Sequence, residues 1–269
     1  ESYCGDQEIC AGLQTFVHGH PWGNSTTDDL LRALDRGTNK IGAVLKGFVE
    51  QPGVPEVLMA RLPGNRLHVR QQRYAPIGRT YDSATIWRIP MVIRYDYLGE
   101  SREARFLLSE REATFNVPGL DKAAWLMPNA RDGYYLWSVP PSFTEGLARA
   151  REKLTPRERL EVLNAGAYAV TSGSLRAQDW IPLLLAFRDD PDAGVRLKVA
   201  RGLARVEEVF ITKRNQAAYR QMLCDTLWPM LTRVGLEPAV DEPPVIGELR
   251  ASLLKTLGIA GAHPEAIRI

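Results

Sequence analysis

The apolar positions change period twice along the chain, near residue 51 and again near residue 139. Up to residue 49 they recur at helical spacing. Ile9, Leu13, Phe16 and Val17 form one set; Leu30, Leu31 and Leu34 form a second, behind Thr27 and Asp28, which can cap a helix that stops near Gly37. A third short helix is expected over residues 39–49. In Gln51-Pro52-Gly53-Val54-Pro55 the prolines and glycine break helical structure and start extended chain, so a domain boundary is placed there.

From residue 57 to residue 137 the period is two. Leu67, Val69 and Gln71 alternate with His68 and Arg70 behind the turn residues Pro63-Gly64-Asn65, which predicts a hairpin over residues 57–74. Residues 87–89 and 91–97 repeat the pattern, with Gly99-Glu100-Ser101 as the turn into residues 104–108. Shorter strands are expected at 112–115, 124–127 and 134–137. Short strands separated by turn signals at this density predict a small β-sandwich.

Beyond Pro140-Pro141 the chain reads as helical to its end. Thr155-Pro156-Arg157-Glu158 is a capping box with proline at the first helical position, opening a helix through Leu160, Leu163, Ala167 and Val170 that stops at Gly173. A helix over residues 180–187 follows. After Asp189-Asp190-Pro191-Asp192 another begins, with Val195, Val199, Leu203 and Val206 on one face. Its Asp192, Val195, Arg196, Ala200 and Leu203 are spaced like the second helix of a HEAT-type unit. Further helices are expected over 216–234, ended by Gly235, and 246–257, giving an α-solenoid-like array without a strict period.

With 45% hydrophobic and 25% charged residues in 269, the chain has material for more than one folded core, which excludes the disordered and fibrous classes. The net charge of +2 gives no electrostatic reason to expect nucleic acid or an anionic membrane. The most apolar run, residues 180–187, is far shorter than the roughly 18 residues of a membrane span and contains Pro182. The chain starts at Glu1 with no signal-peptide layout and is expected to be a piece of a longer protein; the compartment is left open. Cys4, Cys10 and Cys224 are too scattered for a disulfide framework or a zinc knuckle and are expected to be helix-packing thiols.

Catalytic motifs are missing. None of His18, His20, His68 and His263 starts an H-E-x-x-H, in which two histidines one turn apart share a metal and the glutamate polarises water. His18 and His20, two apart, would point in roughly opposite directions on a helix. No G-x-S-x-G, Walker loop or G-x-G-x-x-G is present, and Gly173-Ser174 is only a helix-end turn. Glu110 with Glu112, and Glu207 with Glu208, read as solvated acids. Arg70, Arg73, Arg79 and Arg88, interleaved with Tyr74, Tyr81 and Trp87, could track a single strand, but at neutral net charge they read as outward positions of a half-buried sheet. No catalytic or metal-binding residue is assigned, and the substrate-binding residues are left unknown.

Four segments, the first two forming a pair, carry a resemblance. Gly12-Leu13-Gln14-Thr15-Phe16 with His20-Pro21-Trp22-Gly23-Asn24-Ser25-Thr26-Thr27-Asp28-Asp29-Leu30 is similar to a stretch near the end of the catalytic domain in the aminopeptidase N type of gluzincin metallopeptidase, which includes the endoplasmic-reticulum aminopeptidases. Phe48-Val49-Glu50-Gln51-Pro52-Gly53-Val54-Pro55 resembles that family's passage into a β-sandwich. Trp125-Leu126-Met127-Pro128-Asn129-Ala130 with Gly133-Tyr134-Tyr135 resembles its last sandwich strands, although Leu136-Trp137-Ser138 replaces the usual arginine-containing continuation. Leu154 to Leu160 with Gly173-Ser174-Leu175 is similar to the opening of its helical C-terminal domain.

The resemblance implies an α+β multidomain chain: residues 1–50 as helices closing a truncated thermolysin-like catalytic domain, 51–138 as the β-sandwich, and 139–269 as a HEAT-like helical domain. It implies a parent zinc aminopeptidase, a hydrolase that removes N-terminal residues from peptides, with zinc in the parent and no cofactor in this piece. Its zinc ligands and catalytic groups would lie upstream of Glu1, and this piece would be an inactive cap that shapes the cavity and gates peptide access. The rival readings are the scaffold of a catalytically dead relative and a free-standing HEAT-type adaptor. The truncation further predicts that Leu30, Leu31 and Leu34 are exposed and pair copies of the chain as a homo-oligomer.

Overall fold

The computed structural model describes residues 4–35, 41–81 and 84–269. These residues form a mixed α+β protein with ten α-helices and two small sheets, divided by backbone contacts into the units Glu1–Gly146 and Leu147–Ile269.

The first unit begins with α1 (Asp6–Gly19), α2 (Thr27–Leu34) and α3 (Ile41–Glu50). α2 is capped by Thr26 rather than by Thr27 and Asp28. The Thr26 hydroxyl accepts from the Asp29 amide, while the Asp29 carboxylate takes the Thr26 amide proton at 2.9 Å. This reciprocal box needs an acid three residues after the cap, and Asp29 stands at that spacing only from Thr26. Gly37 and the start of the expected third helix, residues 39–40, lie outside the described residues.

Leu31 and Leu34 are not exposed: they are 6% and 5% accessible. Glycine makes this cover possible. A Cβ on Gly12 of α1 would stand 2.8 Å from a Leu34 methyl, and one on Gly42 of α3 would stand 2.3 Å from the Leu31 carbonyl oxygen. Both neighbouring helices therefore close directly onto α2 and cover Leu31 and Leu34, while Leu30 is half-buried. α1 meets α2 through Gly12, and its predicted apolar set packs only in part: Ile9 and Phe16 are half-buried, whereas Leu13 is 43% and Val17 64% exposed. Cys10 is exposed as well, contrary to the packing role expected of it.

The strands follow: β1 (Pro55–Leu62), β2 (Arg66–Arg73), β3 (Ile89–Tyr97), β4 (Glu100–Leu108), β5 (Glu112–Asn116), β6 (Leu126–Met127) and β7 (Leu136–Ser138). One sheet has the order β5-β2-β1-β7, with β7 parallel to β1 and the other pairs antiparallel; the second has the order β4-β3-β6. In the β1/β2 hairpin Met59 faces Val69 and Val57 faces Gln71, and all four are buried. The β3/β4 turn falls at Leu98-Gly99, earlier than expected, with Tyr97 opposite Glu100. Both turn residues have positive φ, 54° and 90°, the type I′ geometry that matches the twist of a tight hairpin.

Gln71, polar yet 1% exposed, joins the two sheets. Its Nε2 donates to the carbonyls of Trp87 and Glu110, each at 2.8 Å, and its Oε1 accepts from the Trp87 amide at 2.8 Å. A buried amide satisfied in this way costs little and fixes position. Trp87 is thereby held in the core at 0% exposure, which removes it from the predicted outward arginine and aromatic row. Arg70, Arg79 and Arg88 are exposed, and Arg73 stacks on Tyr81 with its guanidinium carbon 4.0 Å from the ring centre.

The segment Trp125 to Tyr135 is a closed clamp. Asn129, 2% exposed, donates to the Gly133 carbonyl at 2.9 Å and accepts from the Gly133 amide at 2.7 Å, while the Tyr135 hydroxyl donates to the Pro128 carbonyl at 2.8 Å. Gly133 must be glycine because a Cβ there would meet the Tyr135 ring at 2.5 Å. These residues of the motif are accounted for by folding: they deliver the chain into β7.

α4 (Pro141–Arg149) ends beyond the division. The second unit holds α5 (Pro156–Ser172), α6 (Ala177–Ala186), α7 (Ala193–Phe210), α8 (Gln216–Val234), α9 (Pro244–Lys255) and α10 (Pro264–Arg268), with a π-helical turn at Thr256–Ala260. α5 starts at the capping box of Thr155 and Glu158 with Pro156 in its first turn and ends at Gly173 in the left-handed region, φ 79°, as its sequence requires. Asp192 caps α7 by accepting from the Val195 amide at 3.0 Å. α7 is the central helix, touching α5, α6, α8 and α9. Its Val195, Val199, Leu203 and Val206 are at most 1% exposed.

Candidate functional site

The four histidines are dispersed. His18 is exposed near the end of α1. His20 places Nδ1 3.0 Å from the Phe16 carbonyl and Nε2 3.6 Å from Asp29. His68 on β2 lies 3.9 Å from Glu112, and His263 stacks on Trp228 with ring centres 4.0 Å apart. Among the described residues no group of three or more His, Cys, Asp or Glu side chains could hold a metal ion. As placed, these donors do not fit a zinc site. The Cys224 thiol is half-buried and points at the Gly261 carbonyl, 3.5 Å away; burial, followed by the Asp225 charge, raises its pKa. It is a poorly ionised packing thiol, as expected of it. No helix among the described residues is long and apolar enough to cross a membrane.

What the structure does bring together lies along α7. Its sequence alternates two kinds of face: the apolar positions are consumed by the neighbouring helices, and Lys198, Arg201 and Arg205, three and four residues apart, share the remaining side. On one flank of this basic row is a cleft of about 300 Å³ whose walls include Leu160, Trp180, Leu197 and Gly202. On the other is a groove of about 720 Å³ between α7 and α9, with Ala204, Ala251 and Ile259 among its lining residues. Arg201 and Arg205 border both.

The charges of the row are unequally engaged. Arg201 pairs with Glu248 of α9 at 3.0 Å and Arg205 with Glu208 at 2.7 Å, all four side chains being well exposed. Lys198 is half-buried and makes no ion pair among the described residues. Burial is the main influence lowering its pKa; the Glu161 carboxylate opposes this, and the Arg201 charge adds to it. The row can therefore offer positive charge beside apolar walls, the combination that small-molecule and peptide sites use to orient a ligand. Spacing alone places these three cations on one face of α7. It does not reveal the cleft, because Leu160 and Trp180 come from other helices.

No protein-family model matches the chain. Among curated proteins it is similar to Aminopeptidase M1-A of Oryza sativa subsp. japonica, at 24% identity across 100% of this chain and 32% of that protein. Aminopeptidase M1 of Arabidopsis thaliana aligns at 22% identity over the same shares. Aminopeptidase N of Lactococcus lactis subsp. lactis (strain IL1403) aligns at 22%, across 98% of this chain and 31% of that protein. The chain spans about a third of the length of these relatives. The similarity to these proteins runs from one end of the chain to the other.

Proposed function

We propose that this chain is the non-catalytic C-terminal region of a zinc metallo-aminopeptidase that removes N-terminal residues from peptides. The observation that carries the reading is the end-to-end similarity to aminopeptidases about three times its length, in a sequence without an H-E-x-x-H. In this reading zinc and its activated water belong to the rest of the parent. Residues 1–50 close the catalytic domain, the two sheets are the halves of a β-sandwich, and residues 139–269 form a HEAT-like cap that gates peptide access. The grooves beside α7 are the surface of that cap on which a long peptide would rest.

The same reading explains an apolar groove of about 520 Å³ in the first unit, lined by Ile9, Val44, Phe48, Val49 and Tyr134 among others. In the parent, further catalytic-domain chain would cover it; in the chain alone it is the surface through which copies would associate. The test is hydrolysis of a panel of aminoacyl-coumarin substrates with zinc present, by this chain and by the whole parent. Turnover by the parent alone is the expected result. Inactivity of both would favour the catalytically dead scaffold, and turnover by the chain alone would overturn the proposal.

A further inference from the structure

We propose that Lys198 is a covalent modification site for small acyl phosphates, its amine taking the acyl group while Arg201 and Arg205 receive the phosphate. The site is local to the second unit and does not depend on the peptidase reading above.

The placement of Lys198 sets it apart. Lys46, Lys122, Lys153, Lys213 and Lys255 are exposed, so among the described residues Lys198 is the one lysine partly withdrawn from water. It makes no ion pair there, and it lines a cleft of about 300 Å³ together with Leu160 of α5, Trp180 of α6 and the two arginines of its own helix. That volume is at the small end of ligand sites, roughly 300–1,000 Å³, and suits a reagent of a few heavy atoms. An ammonium held by no carboxylate and short of hydration gives up its proton more readily than one in open water, and the free amine is the nucleophile. Burial has the largest influence in this direction and Arg201 adds to it, while Glu161 of α5 opposes.

The arginines choose the donor. Arg201 and Arg205 are engaged by Glu248 and Glu208, but all four side chains are well exposed, and ion pairs of that kind are weak. Their guanidinium groups are free to turn to a phosphate, whose oxygens they match two at a time. In the reaction the lone pair of the neutral amine adds to the carbonyl carbon and the bond from that carbon to the phosphate oxygen breaks. The electron pair leaves with the phosphate, the nitrogen's surplus proton goes to water, and the products are an amide and inorganic phosphate. Nothing is oxidised or reduced. A neutral ester would meet the same amine but give the arginines no dianion to stabilise.

The experiment incubates this chain with acetyl phosphate at neutral pH and follows early acetylation at each lysine by peptide mass spectrometry. Lys198 is expected to react at least about fivefold faster than Lys213 and Lys255. Added inorganic phosphate should slow Lys198 alone, and neutral p-nitrophenyl acetate should show a smaller preference for it. Glu161→Gln removes the acid that holds the proton on and should speed Lys198. Arg201→Met should slow it. In both variants an unchanged rate at Lys213 reports that reagent and fold are intact. Lys198 reacting no faster than the exposed lysines overturns the proposal. So does a preference that is as large with the neutral ester and indifferent to phosphate, or one that neither substitution moves.

Discussion

Arg159 and Asp190 form an ion pair inside the helical unit, Nε to Oδ2 2.8 Å, with side chains 9% and 2% exposed. The contact at Nε is one of charge rather than a well-directed hydrogen bond, and the surroundings complete it. Arg159 donates through Nη1 to the Leu154 carbonyl at 2.6 Å, and Asp190 Oδ1 accepts from the Asp192 amide at 3.0 Å. The pair thus ties the start of α5 to the turn that caps α7.

Removing one member leaves a buried charge with no counterpart. Asp190→Ala is expected to destabilise the unit by about 3–5 kcal/mol, seen as a lower urea midpoint with the slope unchanged. The double variant Arg159→Met, Asp190→Leu removes both charges together and should recover most of that loss. If Asp190→Ala unfolds at the parental midpoint, the pair has no structural role.

The capping box of Thr155 with Glu158 and the Pro63-Gly64-Asn65 hairpin turn were legible because each is satisfied by groups within a few residues of each other, whereas the cap of α2 was read one residue late, at Thr27 instead of Thr26. The mixed fold could likewise be read from the change of period near residues 51 and 139. What escaped the sequence is long-range. Gln71 reaches Trp87 and Glu110, so an apparently outward tryptophan is core. Gly12 and Gly42 let α1 and α3 close on α2, so Leu31 and Leu34 are covered by partners that periodicity cannot name. The cleft on α7 was hidden for the same reason, its walls coming from three helices while only the basic row is contiguous.

Leu98 occupies the left-handed region at φ 54° and is 70% exposed. It carries the steric cost of that region, about 1–2 kcal/mol for an ordinary L-residue, with little burial to offset it. Leu98→Asn creates an Asn-Gly type I′ turn and should stabilise the first unit by about 1 kcal/mol, observed as a higher thermal midpoint. A lower midpoint would show that Leu98 packs in a way its exposure does not suggest.

Asp29 has its pKa lowered from 3.8 to about 2, first by the Thr26 side-chain hydrogen bond, then by the Thr26 amide, with Arg32 adding its charge. Because the folded value lies below the unfolded one, the carboxylate's contribution to stability is complete above pH 3.8 and is lost as the pH falls through about 2. A carbon-detected NMR titration should find the Asp29 carboxyl midpoint near 2, and Thr26→Val should move it upward. A midpoint at the ordinary aspartate value would mean that the capping box is not formed in solution.

Trp180 is wedged between two glycines of different tolerance. A Cβ on Gly166 of α5 would stand 2.5 Å from the indole Cδ1 and Nε1, atoms of a rigid, 3% exposed ring. On Gly202 of α7 the nearest atom would be Leu184 Cδ2 at 2.7 Å, a methyl at the end of a movable side chain. Overpacking of a filled core costs about 1–3 kcal/mol, and it should fall where the neighbour cannot yield. Gly166→Ala is therefore expected to lower the urea midpoint more than Gly202→Ala, although alanine is intrinsically the better helix former at both positions. Trp180→Leu in the Gly166→Ala background should cost less than Trp180→Leu alone, because the added methyl fills space the indole has left. Equal effects of the two glycine substitutions, or strict additivity with Trp180→Leu, would show that α5 moves as a body and that Trp180 does not set its distance from α7.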